Sequence, residues 1–316
     1  MTLIRIGTRG SALALWQAHW VEKELLRHGF ETQIVEIGTS GDHNRVQTIA
    51  ELGTEGVFTK EIQRALLADE IDLAVHSLKD LPTEKVEGLE FVASPKRGPF
   101  RDAFVSYKAA SLDELPDGSR IGTGSIRRKA QLLNLFGSRF QIVDIRGNVE
   151  TRLKKLDVGD YDAIILAEAG LVRLGLQERI TSLLEPPLFL PAIGQGALGI
   201  EARISRTDTL QKAVDCLNDR PTYAAVLAER SLLRSLCGGC LAPIAAHAEV
   251  ELSITASMTL TARVLSPDGQ QCIEKQIVLV HFSQEKNDIL ETAVQLGGSV
   301  ADELLAAGAD ALLQRE

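Results

Sequence analysis

The stretch LIRIGTRGS at residues 3–11 determines the fold class, because an apolar strand-like run passes through a glycine-rich turn into a helix. Leu13, Trp16, Trp20 and Val21 fall on one face of that helix. The same alternation of short apolar runs and helical periodicity continues through the first half of the chain. This pattern is typical of parallel sheets flanked by helices, so the sequence predicts α/β architecture.

Further strands are predicted where short apolar runs recur. The predicted strands of the first half are Leu3–Ile6, Gln33–Ile37, Asp72–Val75, Ala103–Val105, Arg120–Gly122, Gln141–Ile145 and Ala163–Ala167. Proline-rich segments at residues 94–99 and 185–191 resist regular structure and bracket a middle α/β unit.

The pattern of the last third is different and predicts a smaller α+β domain. A helix is expected around Tyr223–Leu236, and a second from about Asp288 to Leu313 with an interruption at the two glycines 297–298. Between these helices the predicted antiparallel strands are Glu249–Thr255, Leu260–Leu265 and Cys272–Val280, with a turn at residues 266–269.

Composition restricts the class of protein. A chain of 316 residues with 45% hydrophobic and 24% charged residues is expected to fold into two or three domains. A net charge of −9 argues against nucleic-acid binding, and no apolar stretch approaches the ~20 residues of a membrane span. Four cysteines do not make a disulfide framework, which favours a reducing compartment and a cytoplasmic location.

Arginines recur just after predicted strands, where α/β proteins bind ligands. They are Arg9, Arg127, Arg128, Arg146, Arg152 and Arg173. A cation in the first turn of a helix opposes the helix dipole, so an anionic ligand would compensate for Arg127 and Arg128. Guanidinium groups bind carboxylate or phosphate, but residues 122–125 are not a P-loop and residues 7–10 lack dinucleotide-binding spacing. A polycarboxylate is therefore favoured, with solvated surface arginines or ion pairs to internal acids as the alternative.

The segment AVHSLKD at residues 74–80 carries an apolar strand directly into polar groups. Asp80 lies where α/β enzymes keep catalytic residues, and its carboxylate could move protons or stabilise a cation. The alternative is a helix cap or an ion pair with Lys79. His76 fits a core histidine as well as a catalytic one.

The pair CGGC at residues 237–240 allows several kinds of chemistry. Zinc would need two more ligands, and the chain shows no second close pair of cysteines. A redox pair normally opens a helix, whereas this pair follows a predicted helix end. A reactive cysteine on a glycine-rich loop remains the third option.

Several motifs together resemble the porphobilinogen deaminase family. In order along the chain they are HSLKD at residues 76–80, GTGSIRR at 122–128, RGN at 146–148, TRL at 151–153, PAIGQG at 191–196 and GGC at 238–240. The similarity extends from Leu3 to the C-terminal helix.

The resemblance implies three domains, of which the first two are α/β domains like the halves of a periplasmic-type binding protein. Domain 1 would comprise residues 1–97 with 197–218, domain 2 residues 98–196, and the smaller α+β domain 3 residues 219–316. The active cleft would lie between the first two.

The resemblance also implies a dipyrromethane cofactor bonded through a thioether to Cys240, no catalytic metal, and Asp80 as the catalytic carboxylate. The implied cofactor contacts are Ser77, Lys79, Ser125, Arg127, Arg128 and Arg146. The implied substrate contacts are Arg9, Ser11, Arg152, Arg173 and Gln195.

The implied activity is that of a transferase of tetrapyrrole biosynthesis, a hydroxymethylbilane synthase. Four porphobilinogen units would be joined head to tail with loss of ammonia, and hydrolysis would release linear hydroxymethylbilane. A carboxylate at Asp80 would stabilise positive charge developing on the pyrrole nitrogen. The expected protein is a cytoplasmic monomer whose partner is the small-molecule substrate, without nucleic acid or membrane.

Some positions depart from the family pattern. A basic glycine-rich stretch over the cleft is replaced by GTEG at residues 53–56, preceded by Glu51, and Cys237 is unusual beside the attachment cysteine. Residues 245–247, AAH, replace a more common Gly-Ser-Tyr-like run. Two other functions stay open: a non-catalytic anion-binding module, and a thiol oxidoreductase using the cysteine pair.

Overall fold

The computed structural model describes residues 3–38, 59–236, 243–253 and 256–313. The chain divides into two compact units, each formed by two segments. Unit 1 contains Met1–Gly98 and Ala197–Tyr223, and unit 2 contains Pro99–Gly196 and Ala224–Glu316. The division into three domains stays a prediction.

The strands of the described residues, in chain order, are β1 (Leu3–Thr8), β2 (Glu31–Glu36), β3 (Leu73–Ser77), β4 (Leu89–Ala93), β5 (Asp102–Ser106), β6 (Arg120–Gly122), β7 (Gln141–Val143), β8 (Ala163–Ala167), β9 (Ser182–Leu184), β10 (Leu198–Arg203), β11 (Ile244–Glu251), β12 (Ser257–Leu265) and β13 (Cys272–Val280). The helices are α1 (Ala12–Arg27), α2 (Lys60–Leu67), α3 (Ile126–Phe136), α4 (Val149–Asp157), α5 (Glu168–Arg173), α6 (Asp208–Leu217), α7 (Arg220–Ser235), α8 (Lys286–Ala306) and α9 (Ala309–Leu313). Short 3₁₀ turns lie at Leu78–Asp80 and Gln177–Arg179.

Unit 1 is built on a five-stranded sheet in the order β2-β1-β3-β10-β4. The first three strands are parallel, whereas β10 runs antiparallel to both of its neighbours. Helix α1 packs its buried face, including Val21 and Leu25, against Ile4, Ile6 and Leu73 of the sheet. The carboxyl ends of β1 and β3 therefore meet at one edge of a buried sheet.

The α/β part of unit 2 repeats this topology in a second five-stranded sheet, ordered β7-β6-β8-β5-β9. Again three parallel strands are followed by an antiparallel strand, here β5, between β8 and β9. A three-stranded antiparallel sheet, β11-β12-β13, completes the unit and shares a core with the C-terminal helices. The predicted α/β class, with two α/β sheets and a smaller α+β part, is confirmed.

Most predicted strands match observed ones within a few residues, but β4, β9 and β10 were not predicted as strands. Strand β11 begins at Ile244, five residues before the predicted start at Glu249. Its first half is rich in alanine, which is depleted in strands, so composition gave no strand signal there. The predicted residues 254–255 lie outside the described residues.

The predicted interruption of the last helix at residues 297–298 is wrong. Helix α8 runs through both glycines and ends at Ala306. The turn before α9 contains Gly308, whose φ is +92°. A Cβ on Gly297 would lie 2.3 Å from the Ala228 carbonyl oxygen of α7. Gly297 is therefore a close contact between two helices rather than a helix end.

Among the described residues, we find no helix with both the length and the apolarity needed to span a bilayer.

Candidate active site

A cavity of about 80 Å³ opens in unit 1 at the carboxyl ends of β1 and β3. Four residues predicted for catalysis or binding line it: Arg9, Ser11, Ser77 and Asp80. The parallel pairing of β1 with β3 brings these residues together, although the two segments are about seventy positions apart in the chain. The cavity is thus lined by a cation, two hydroxyl groups and a carboxylate.

Asp80 is exposed and ends the 3₁₀ turn that follows β3 directly. Leu78 anchors this turn, because its side chain is buried and its N–H donates to the Ala197 carbonyl at 3.1 Å. Gly199 allows the anchor to pack closely, since a Cβ there would lie 2.9 Å from Leu78 Cδ1. A buried leucine between Ser77 and Lys79 thus directs the polar residues of the segment away from the core.

The N-terminus of α1 lies at the same cavity. Ser11 caps the helix, its Oγ accepting a hydrogen bond from Ala14 N–H at 3.3 Å, and the first turn contains no acidic residue. The positive end of the helix dipole is therefore not compensated by a first-turn carboxylate. Together with half-buried Arg9, this end of the helix favours an anionic ligand.

Gln17 also lines the cavity and was not predicted from the sequence. It is 2% exposed, and its Nε2 donates to Ser77 Oγ at 2.6 Å. A polar residue on the buried face of an amphipathic helix, beside Val21 and Leu25, is the signal that could have identified it.

His76 also lines the cavity, and it contacts a buried carboxylate. Its Nε2 is 2.9 Å from Glu201 Oε2, and both side chains are less than one-tenth exposed. Gln63 Nε2 donates to the two oxygens of the same carboxylate at 3.1 and 3.3 Å. Glu201 belongs to β10 and is far from His76 in the sequence, so the contact could not be predicted from local sequence patterns.

In unit 2, Arg127 and Arg128 lie in the first turn of helix α3 and are both buried. Ser125 caps the helix, with its Oγ accepting from Arg128 N–H at 3.4 Å. Both guanidinium groups bind Asp102 at the start of β5: Arg127 Nη1 at 2.7 Å and Arg128 Nε at 2.9 Å. An internal aspartate, Asp102, thus provides part of the negative charge that compensates for these two cations. The alternative of ion pairs with internal acids predicted such a contact.

The charge of this cluster is not balanced, because two guanidinium groups share one buried carboxylate. Although burial opposes it, the Coulomb attraction of Arg127 and Arg128 holds the pKa of Asp102 well below its usual range. The pKa of Arg127 is lowered, mainly by burial. Arg127 Nε has no hydrogen-bond partner among the described residues. The cluster therefore has an excess positive charge that a further carboxylate would neutralise.

Gln195 completes the cluster. Its side chain is almost fully buried, and Nε2 donates to Asp102 Oδ1 at 3.0 Å and to the Phe100 carbonyl at 2.8 Å. The loop that carries it is held by Glu229, whose Oε2 accepts from Gly194 N–H at 2.7 Å. In this structure Gln195 orients Asp102; its predicted contact with substrate stays a prediction.

The three remaining arginines lie elsewhere in unit 2. Arg146 is exposed and pairs with Asp144 at 2.7 Å, and Arg152 Nε donates to the Gly147 carbonyl at 2.8 Å. Arg173 is half-buried, its Nη2 donates to the Gly196 carbonyl at 2.6 Å, and burial lowers its pKa to about 10. Arg146 lies in the loop before α4 and Arg152 in the first turn of α4, whereas Arg173 ends α5.

Lys79 is half-buried in the turn that carries Asp80. The predicted cofactor attachment at Cys240, its neighbour Cys237, and residues 51–56 lie outside the described residues. Of the described cysteines, Cys216 is half-buried in unit 1 and Cys272 is exposed in unit 2. In the described ranges no three His, Cys, Asp or Glu side chains are grouped as a metal site.

Two family models match the chain. Residues 4–211 match "Porphobilinogen deaminase, dipyromethane cofactor binding domain", and residues 223–306 match "Porphobilinogen deaminase, C-terminal domain".

Relatives named porphobilinogen deaminase match nearly the whole chain. The one from Trichlorobacter lovleyi is 47% identical over 98% of this chain and 96% of its own. The one from Geobacter sulfurreducens is 45% identical over 98% of this chain and 93% of its own. Among solved structures, a periplasmic substrate-binding protein of an ABC transporter from Coxiella burnetii is 15% identical, with a TM-score of 0.44 over 72% of this chain and 94% of its own. Two matching family models and near full-length relatives establish that this chain belongs to the porphobilinogen deaminase family.

Proposed function

We propose that this chain is a hydroxymethylbilane synthase, which joins four porphobilinogen units head to tail, releases ammonia, and frees the linear tetrapyrrole by hydrolysis. Membership of the porphobilinogen deaminase family supports this activity. The observation that carries the proposal is the placement of Asp80, Arg9 and Ser11 around one cavity at the ends of β1 and β3. A carboxylate and a cation lining one cavity suit a reaction that creates positive charge in a substrate with acidic side chains.

A dipyrromethane cofactor, bonded through a thioether to Cys240, would supply the pyrrole carbon on which the chain grows. The charges of unit 2 fit such a group, since it carries several carboxylates and the Asp102 cluster has an excess positive charge. Arg127 and Arg128 would hold one carboxylate, and the unpartnered Arg127 Nε offers a donor to it. Lys79, Ser77, Ser125 and Arg146 would supply the other polar contacts.

Asp80 would be the catalytic carboxylate. Its exposed position at the end of a turn anchored by Leu78 leaves the carboxylate accessible to a substrate in the cavity. There it would stabilise positive charge on the pyrrole nitrogen and accept or return a proton.

The acidic side chains of porphobilinogen would bind at the positive end of α1 and at the arginines of unit 2. Arg9 and Ser11 line the cavity in unit 1. Arg152, Arg173 and Gln195 would bind the growing chain. Four cysteines in a chain of 316 residues are too few for a disulfide-based fold, so we expect the enzyme to act in the reducing cytoplasm. We also expect it to be a monomer.

The direct test is to incubate the purified protein with porphobilinogen and to measure ammonia and hydroxymethylbilane together. The proposal expects four ammonia molecules per tetrapyrrole released. Binding of porphobilinogen without ammonia release would instead identify an anion-binding module. Absence of both would exclude the proposed activity.

A further inference from the structure

Arg263, on the central strand of the C-terminal sheet, binds the segment that connects β9 to β10. Its Nη2 donates to the Pro187 carbonyl at 2.8 Å, and its Nη1 donates to the Leu188 carbonyl at 3.0 Å and to Gln131 Oε1 at 3.3 Å. Nε is held from the other side by Glu274 of β13, at 2.7 Å. The Arg263 side chain is only 11% exposed, although its partners Glu274 and Leu188 lie at the surface.

Gln131 continues this connection to the arginine cluster. Its side chain is fully buried, its Oε1 accepts from Leu190 N–H at 2.8 Å, and its Nε2 donates to the Leu190 carbonyl at 3.0 Å. The same carbonyl accepts from Arg127 Nη1 at 2.6 Å. Arg263 and Arg127 are therefore joined through one glutamine and one backbone carbonyl, all within unit 2.

A second contact fixes the C-terminal sheet to the same helix. Asn134 Nδ2 of α3 donates to the Gly269 carbonyl at 2.9 Å, in the turn between β12 and β13. A Cβ on Gly269 would lie 2.7 Å from the Ala130 carbonyl oxygen, so the turn packs directly on α3. The helix that carries Arg127 and Arg128 in its first turn is thus attached to the C-terminal sheet at Ala130, Gln131 and Asn134.

We propose that Arg263 is a positioning residue for cofactor assembly, which holds the C-terminal sheet in a fixed position relative to Arg127 and Arg128. Cys240 lies in sequence between α7 and β11, which are both part of the C-terminal core. A group bonded at Cys240 and held by its carboxylates on α3 requires these two parts to keep one geometry. This inference rests on the proposed function, because it assumes that Arg127 and Arg128 bind cofactor carboxylates.

The test compares full-length Arg263→Met with Arg139→Met as a matched control. Arg139 is also in unit 2 and pairs with a carboxylate, Asp117, at 2.8 Å and with two backbone carbonyls, but it does not contact Leu190. Each protein is prepared without cofactor and incubated with porphobilinogen, and the fraction carrying cofactor is followed by intact mass. Thermal unfolding of each variant is measured in parallel.

We expect Arg263→Met to slow cofactor loading by about fivefold or more, and Arg139→Met to load at the wild-type rate even where its unfolding temperature falls equally. Arg263→Lys keeps the charge but not the fork geometry of the guanidinium group, so it should load cofactor at an intermediate rate. This variant still tests the inference if Arg263→Met does not fold. Combining Arg263→Met with Arg127→Lys should slow loading by less than the product of the two single effects, because both residues connect to the Leu190 carbonyl, Arg127 directly and Arg263 through Gln131.

If Arg263→Met and Arg263→Lys load cofactor at the wild-type rate, the inference is wrong. It is also wrong if Arg139→Met slows cofactor loading as much as Arg263→Met. The two proposals fail differently. If Arg127→Leu loads normally, the proposed carboxylate contact is wrong. If Arg127→Leu loads slowly while both Arg263 variants load normally, only the role of Arg263 is wrong.

Discussion

Asp102 binds both Arg127 and Arg128, at 2.7 and 2.9 Å, in a cluster where none of the three side chains is more than 6% exposed. Two cations on one carboxylate are unfavourable in a buried site unless another anion is supplied. The bound cofactor is, in our proposal, that anion. The cluster then has two roles, as part of the folded core and as a preformed site for a carboxylate.

Replacing Asp102 with Asn should lower the free energy of unfolding by about 3–5 kcal/mol, because it leaves two buried guanidinium groups without their carboxylate. Chemical denaturation of both proteins near neutral pH measures the difference. A loss below about 1 kcal/mol would mean that the arginines find other partners.

The same carboxylate should make stability depend on pH in the acid range. The pKa of Asp102 is lower in the folded protein than its usual value, so the ionised group stabilises the fold above its unfolded pKa of about 4. This contribution is lost as the pH falls toward the folded pKa. Wild type should therefore lose stability more steeply than Asp102→Asn below about pH 4. Parallel curves for the two proteins would contradict the assignment.

The two glycines of α8 should respond in opposite ways to alanine. Gly297→Ala would place a Cβ 2.3 Å from the Ala228 carbonyl oxygen and should destabilise the protein by about 1–3 kcal/mol. Gly298 has no such neighbour within 4 Å, so Gly298→Ala should stabilise the helix by roughly 0.5–1 kcal/mol. Thermal unfolding compares them, and a common direction of change would contradict the packing described.

Local sequence patterns predicted the strand ends that carry the proposed site residues, because a glycine-rich turn after a short apolar run is a local signal. They did not predict Asp102 as the partner of Arg127 and Arg128, which lie 25 and 26 residues further along the chain. Strand β10 was missed for the same reason, since its residue Leu198 pairs with Ser77 far along the chain. Contacts of this kind depend on the topology of the sheet. The hydrophobic periodicity of a single segment does not predict them.

Removing either buried arginine should impair cofactor assembly. Arg127→Leu or Arg128→Leu loses a buried charge pair, with an expected cost of about 2–5 kcal/mol, and should strongly reduce cofactor loading. Arg27→Leu is the control, because Arg27 is an exposed helical residue paired with Glu24. Incubation of cofactor-free protein with porphobilinogen distinguishes the three, and equal loading would contradict the role of the arginines.

Asp80→Asn should preserve the fold and leave cofactor attached while turnover falls by about 10²–10³, because the shape of the side chain remains and its charge is lost. The measurement is hydroxymethylbilane formation per folded molecule, with thermal unfolding in parallel. Near-normal turnover with reduced stability would return Asp80 to a purely structural role, as a cap or ion-pair partner.

Covalent attachment of the cofactor at Cys240 is the central claim, and intact mass followed by peptide mapping tests it most directly. Wild type and Cys237→Ala should both carry the added mass of a dipyrrole, mapped to the peptide at Cys240, whereas Cys240→Ser should have the mass of the bare polypeptide. A dipyrrole retained in Cys240→Ser, or an adduct mapped to Cys237, would contradict the account, and a bare wild-type mass after incubation with porphobilinogen would contradict it as well.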